Sequence, residues 1–201
     1  MKGEWARAVR SLERGHELVL TRDFPAHFVI SGSRLGYAYA LSGRVSEGLT
    51  LLEQSDARAE HLGRRIQQPL TLGWLSEAQL LAGRPEQALE AAHRALQLSD
   101  RRKQRGMGAR AHWMLGEIAA RRDPPDADEA ESHYQDALAL AEELGMRPLQ
   151  ARCHLGLGKL CRRIDRTDEA RAELATAVAM LREMGMAFWL PEAERELGET
   201  T

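Results

Sequence analysis

The chain has 201 residues, of which 43% are hydrophobic, 29% charged and 5% aromatic, with a formal net charge of −2. This is the composition of a globular chain with a mainly aliphatic core. It excludes a disordered segment and a strongly basic field for nucleic acid or anionic lipid.

The first residues, Met1-Lys2-Gly3-Glu4-Trp5, run straight into charge and lack the apolar stretch of a signal peptide. No run approaches the roughly 18 apolar residues that a membrane-spanning helix needs. Ala occurs 30 times and Leu 29, against 5 Val and 4 Ile, which favours helix over strand. Apolar periodicity then predicts helices over 4–21, 26–42, 45–62, 65–82, 85–102, 106–122, 127–144, 147–164 and 167–184, with a short one over 187–198. Gly43 and Gly83 close the first helix of a pair, and Gly63, Gly145 and Gly185 close the second. Two Cys cannot build a disulfide framework and no Asn is present to carry a glycan, so a cytoplasmic setting is expected.

The chain repeats itself. Leu35-Gly36, Leu75-Ser76, Leu115-Gly116 and Leu157-Gly158 are spaced by 40, 40 and 42 residues. Ala8, Gly48, Ala88, Ala130 and Ala170 form a second series spaced by 40, 40, 42 and 40. The two extra residues fall at Asp123-Pro124-Pro125-Asp126, where a longer turn is natural. Small residues at these places let paired helices approach to roughly 8–9 Å. Such pairs cannot bury their apolar faces alone and must stack. The expected architecture is all-α, a right-handed α-solenoid of antiparallel helix pairs with a period of about 40 residues. Residues 1–201 are expected to form one domain: a lone second helix in 1–23, full units at 24–63, 64–103, 104–145 and 146–185, and a terminal helix in 186–201.

The order Leu35-Gly36-Tyr37-Ala38-Tyr39, Gly43, Gly48 resembles a tetratricopeptide repeat, and Leu75-Ser76, Gly83, Ala88 and Ala95 resemble it more closely. The first-helix Trp of that family is replaced by Gly32, Leu72, His112 and His154. Stretches such as Leu35 to Arg44, Trp74 to Ala78, Leu80 to Arg84, Glu143 to Pro148, His154 to Lys159 and Phe188 to Ala193 are similar to the C-terminal repeat region of bacterial adenylate/guanylate cyclase–ATPase signalling proteins. That resemblance implies a regulatory region acting through protein contact, with catalysis elsewhere in a longer parent. The opening on an unpaired second helix, around Trp5, Val9 and Leu12, gives the further expectation of a fragment that self-associates through an uncovered edge.

Catalytic signatures fail in this chain. Gly158-Lys159 lacks the Ser/Thr and the first Gly of a phosphate loop, because Leu160 and Cys153 stand there. His16-Glu17 lacks the second His of a zinc-protease helix, since Leu20 occupies that place. Cys153 and Cys161 lie eight residues apart on one helix, roughly 12 Å of rise, and read as core thiols. His112 and His154 are read as packing residues in the former Trp position, with a metal bridge between them as the alternative. His27, His61, His93 and His133 show no ligand-like spacing. The carboxylates Glu142-Glu143 and Asp128-Glu129-Glu131 read as solvated helix surface. The basic run Arg101-Arg102-Lys103 with Arg105 reads as a helix C-terminus. No enzyme activity, metal, cofactor, nucleic-acid or membrane partner is therefore expected.

In the family it resembles, the first helices line a concave groove. Carrying that stripe over gives Ile30, Ser33, Arg34 and Tyr37; Leu70, Trp74 and Glu77; Arg110, Trp113 and Glu117; and Arg152, Leu155 and Lys159. The partner-binding residues expected from it are Arg34, Tyr37, Trp74, Glu77, Arg110, Trp113, Glu117, Arg152 and Lys159. Aromatics mixed with both charge signs suit a peptide or protein partner. For Trp74 and Trp113, packing between neighbouring units is an equal alternative. A small-molecule inducer sensor of a bacterial transcriptional regulator is the second functional reading, and it needs a closed pocket of about 300 Å³ or more.

Overall fold

A computed structural model describes residues 2–22, 24–63 and 65–200, with side-chain positions for all of these except 2–5, 25, 26 and 65. Among the described residues every element is helical. The helices are α1 (Lys2–Thr21), α2 (Pro25–Leu41), α3 (Val45–His61), α4 (Gln68–Leu81), α5 (Pro85–Arg101), α6 (Arg105–Ala120), α7 (Ala127–Glu143), α8 (Arg147–Arg163), α9 (Thr167–Glu183) and α10 (Leu190–Gly198). No described helix is long and apolar enough to cross a membrane.

These bounds follow the periodicity closely, with two departures that share a cause. A single 3₁₀ turn, Arg65–Gln67, precedes α4, and turns over 187–189 precede α10. Pro69 and Pro191 stand in the first turn of the two helices. A proline lacks the backbone donor an interior turn requires, so the regular helix begins just before it.

The chain divides into two compact units, residues 1–103 and 104–201. In the first, α1 packs on α2, α2 pairs with α3, α3 meets α4, α4 pairs with α5, and α2 also touches α4. In the second, α6 pairs with α7, α7 meets α8, α8 pairs with α9, α9 holds α10, and α6 also touches α8.

The repeated small residues are the crossing points. A Cβ on Gly48 would stand 2.5 Å from the Gly36 carbonyl oxygen, a distance no side chain tolerates. At the equivalent crossing of α4 and α5, Ala88 is fully buried and the Ser76 hydroxyl donates to its carbonyl at 2.7 Å. In the second unit a large side chain fits because its neighbours have none. The Tyr134 ring lies so close to α8 that a Cβ on Gly156 would meet it at 2.6 Å.

Left-handed backbone closes the helices at Gly43, Gly63, Gly83, Gly145 and Gly185. Lys103 and Asp165 adopt the same conformation, with φ of 56° and 61°, without being glycine. The start of each first helix in the second unit is tied to the end of its partner by an arginine–glutamate pair: Arg105 with Glu143, and Arg147 with Glu183.

Candidate functional site

In the first unit, three of the expected groove residues come together. Tyr37 and Trp74 stack with ring centroids 5.0 Å apart and planes 13° from parallel. The Tyr37 hydroxyl donates to Glu77 Oε2 at 2.9 Å. Tyr37 lies on α2, and Trp74 and Glu77 lie one turn apart on α4, so the contact between these helices sets the geometry. Trp74 and Tyr37 are half-buried, Glu77 is buried and Arg34 is exposed. With Ala8, Val9 and Leu12 of α1, and Ala38, the residues Arg34, Tyr37 and Trp74 line a surface groove of about 330 Å³. The groove floor is apolar, with one cation at its rim. Ile30 and Leu70 are half-buried, whereas Ser33 is buried and donates to the Val29 carbonyl at 2.7 Å. Trp5, invoked for the N-terminal edge, has a side chain outside the described residues.

In the second unit the expected residues are sunk deeper. Trp113 is 4% exposed, and the Arg152 guanidinium lies 3.7 Å from its ring centroid and 5.2 Å from that of Trp189. Arg110 lies 6.0 Å from the Trp113 ring. Trp113 thus packs between helices, as the packing alternative requires, while Trp74 sits half-open in a groove wall. The Trp113 indole nitrogen is buried with no hydrogen-bond partner. Glu117 is buried, accepts a hydrogen bond from the Tyr134 hydroxyl at 2.9 Å and pairs with Arg121 at 3.0 Å. Burial and the adjacent Glu117 carboxylate push the Tyr134 phenol well above its ordinary range. Lys159 binds Glu192 of α10 at 2.7 Å and shares a small recess of about 40 Å³ with Glu117. Leu155 is buried.

The two thiols are unsuited to nucleophilic work. Burial raises the Cys153 thiol far above its usual range and raises Cys161 as well, so neither offers a thiolate near neutral pH.

Sequence spacing missed one constellation. His112 on α6 does not pair with His154; its Nδ1 faces Nδ1 of His133 on α7 at 3.1 Å, with Asp136 Oδ2 at 3.5 Å. A ligand atom from each of these three side chains lies within 4.8 Å of the others. His154 instead bonds Glu173 at 2.6 Å through its own Nδ1. The available signal was the three-residue spacing of His133 and Asp136, which places both on one helix face.

Residues 109–183, which span α6 to α9, match the tetratricopeptide repeat family. Over these residues the chain is similar to that family. The likeness in fold extends over the whole chain. The crystal structure of BtubC (BKLC) from P. vanneervenii is 20% identical, with a TM-score of 0.70 over 99% of this chain and 82% of that one. The nearly identical tetratricopeptide-like repeats of a kinesin-light-chain candidate from Podosopora anserina are 17% identical, with a TM-score of 0.60 over 87% of this chain and 89% of that one. At such identities the likeness concerns fold alone. No curated protein matches the chain.

Proposed function

We propose that this chain is a non-catalytic protein–protein interaction module whose partner contacts begin at the groove of Arg34, Tyr37 and Trp74. The observation that carries this reading is the exposed edge of the Tyr37–Trp74 stack beside an apolar floor. A stacked aromatic pair held by a buried carboxylate is already ordered before binding. A peptide side chain placed against it buries area without first fixing the receptor's rotamers. Arg34 at the rim adds a charge that favours a peptide with an acidic residue next to its apolar one. Within the first unit Glu77 acts from beneath; within the second, Trp113, Glu117 and Arg152 fix the helices, and Arg110 and Lys159 are that unit's own proposed contact residues.

The finer reading makes the chain a regulatory, cytoplasmic region of a cyclase–ATPase signalling protein. Its support is the sequence likeness of the stretches around Leu35 to Arg44 and His154 to Lys159. Self-association is still proposed through the N-terminal edge, but Val9 is buried against α2 and Leu12 is partly buried with it, so the exposed apolar groups on that side are instead Leu18, Leu20 and Phe24, each more than half exposed. The sensor reading is favoured only by the groove's volume, which reaches the range of small-molecule sites. The groove is open to solvent rather than enclosed, which suits a peptide better than a sequestered inducer.

The test is a photo-crosslinking amino acid placed at Arg34 or, as a control, at the exposed Glu90 of α5. Crosslinks to one partner from position 34 and none from position 90 support the proposal. Crosslinks from position 90 alone reject it.

A further inference from the structure

We propose that His112, His133 and Asp136 form a binding site for a divalent transition-metal ion of the zinc class. The two imidazole nitrogens that face each other stand 3.1 Å apart. Two ligands, each about 2.0–2.1 Å from a tetrahedral zinc ion, stand about 3.3 Å apart. The carboxylate oxygen lies 3.5 Å from the first of them, and all three ligand atoms fall within 4.8 Å of one another. A small rotation of the exposed Asp136 side chain brings the third ligand to the same point.

The backbone predisposes this arrangement. His133 and Asp136 lie three residues apart on α7, one turn above the other on one face. His112 comes from α6, the helix against which α7 packs as a pair. The set is particular to this pair of helices. The corresponding places are Gly32, Leu51 and Gln54 in α2 and α3; Leu72, Ala91 and Arg94 in α4 and α5; and His154, Glu173 and Thr176 in α8 and α9. None of those sets offers three ligands.

The chemistry matches the metal. Two neutral imidazoles are borderline ligands that suit zinc, which also accepts a harder carboxylate oxygen, and the single negative charge of the set offsets half of the ion's. Three protein ligands leave a fourth position for water. The His112 side chain is 19% exposed and that of Asp136 56%, so an ion can reach the site from solvent. Bound there, the ion clamps α6 to α7 one turn along α6 from the Gly116–Tyr134 contact.

The test titrates the untagged full chain with zinc chloride by calorimetry, and with cobalt(II) followed by its visible absorption. One ion per chain and intensified tetrahedral cobalt bands are expected. His133→Ala and Asp136→Asn should each weaken binding at least about tenfold, the lower end of what even outer-shell partners of a metal cost. His154→Ala should leave it unchanged. Asp136→Asn alters an exposed side chain, and circular dichroism verifies that it leaves the helices intact. Absence of stoichiometric binding overturns the site, and so does binding that both variants leave unchanged. Either result leaves His112 and His133 as a hydrogen-bonded pair of imidazoles.

Discussion

The Tyr37 hydroxyl binds Glu77 across a separation of one full repeat, 40 residues, while its ring stacks on Trp74. The same register position is occupied by Glu117 and Lys159 in the later repeats, where it again carries a polar contact, to Tyr134 and to Glu192. One position of the repeat thus serves as the polar link between a first helix and its surroundings. Tyr37→Phe keeps the stack and loses the bond to the carboxylate, which should cost about 1 kcal/mol. Tyr37→Ala should cost more. Urea unfolding of the two variants measures the difference.

Trp113 and Arg152 are predicted to be stability residues. Trp113→Ala should lose about 3–5 kcal/mol, as large buried aromatics do. Arg152→Met keeps the packed stem and removes the charge, isolating a cation–π contribution of about 2 kcal/mol at a desolvated site. Thermal unfolding that leaves Trp113→Ala near the parent would place the indole outside the core.

The crossing of α2 and α3 admits no side chain. Gly48→Val should abolish cooperative unfolding or lower the midpoint steeply, since the new Cβ meets the Gly36 carbonyl. Lys103→Gly should act in the opposite direction, gaining about 1 kcal/mol by relieving left-handed backbone. Lys103→Ala, which keeps the strain, should gain nothing.

The acid limb of stability follows from the pairs that close the second-unit hairpins. Hydrogen bonds from Arg105 and Arg147 hold the Glu143 and Glu183 carboxyls below their ordinary values. A lowered folded value means the contribution is fully present above the unfolded carboxyl value, about 4.3, and is lost as pH falls through the folded one. Both pairs are exposed, so the effect is small and screened by salt. The double variant Arg105→Gln/Arg147→Gln should be less stable than the parent at neutral pH in low salt. The two should converge in acid and in high salt.

The helices were legible because their signals are local. The spacing of Ala and Leu, the closing glycines and the small residues at crossings all report on contacts within one turn or one pair. Gly36 and Gly48 were visible as crossing residues for that reason. The apolar pattern runs on through Pro69 and Pro191, so it predicts starts for α4 and α10 three residues ahead of those observed. The site was less legible. The fate of Trp113 depends on Arg152 of α8 and, through it, on Trp189 just ahead of α10, which no local pattern connects to α6. His112 was aligned with His154 along the repeat, whereas its contact runs sideways to His133 within its own pair. Equivalent positions in successive repeats mark equivalent backbone, and the side chain that answers across the pair changes from His133 to Glu173.

The most direct measurement selects peptides on the full chain from a random display library and compares their affinities for groove and control variants. Trp74→Ala should weaken a selected peptide about thirtyfold, corresponding to about 2 kcal/mol, with Arg34→Glu also reducing affinity. Glu90→Lys should stay within about twofold of the parent. Helix content of all three variants should match the parent's; Arg34→Glu and Glu90→Lys should also melt close to it, while Trp74→Ala melts somewhat lower through loss of its stack on Tyr37. Equal losses in Glu90→Lys, or full affinity in both Trp74→Ala and Arg34→Glu, would contradict a partner-binding groove on the first helices.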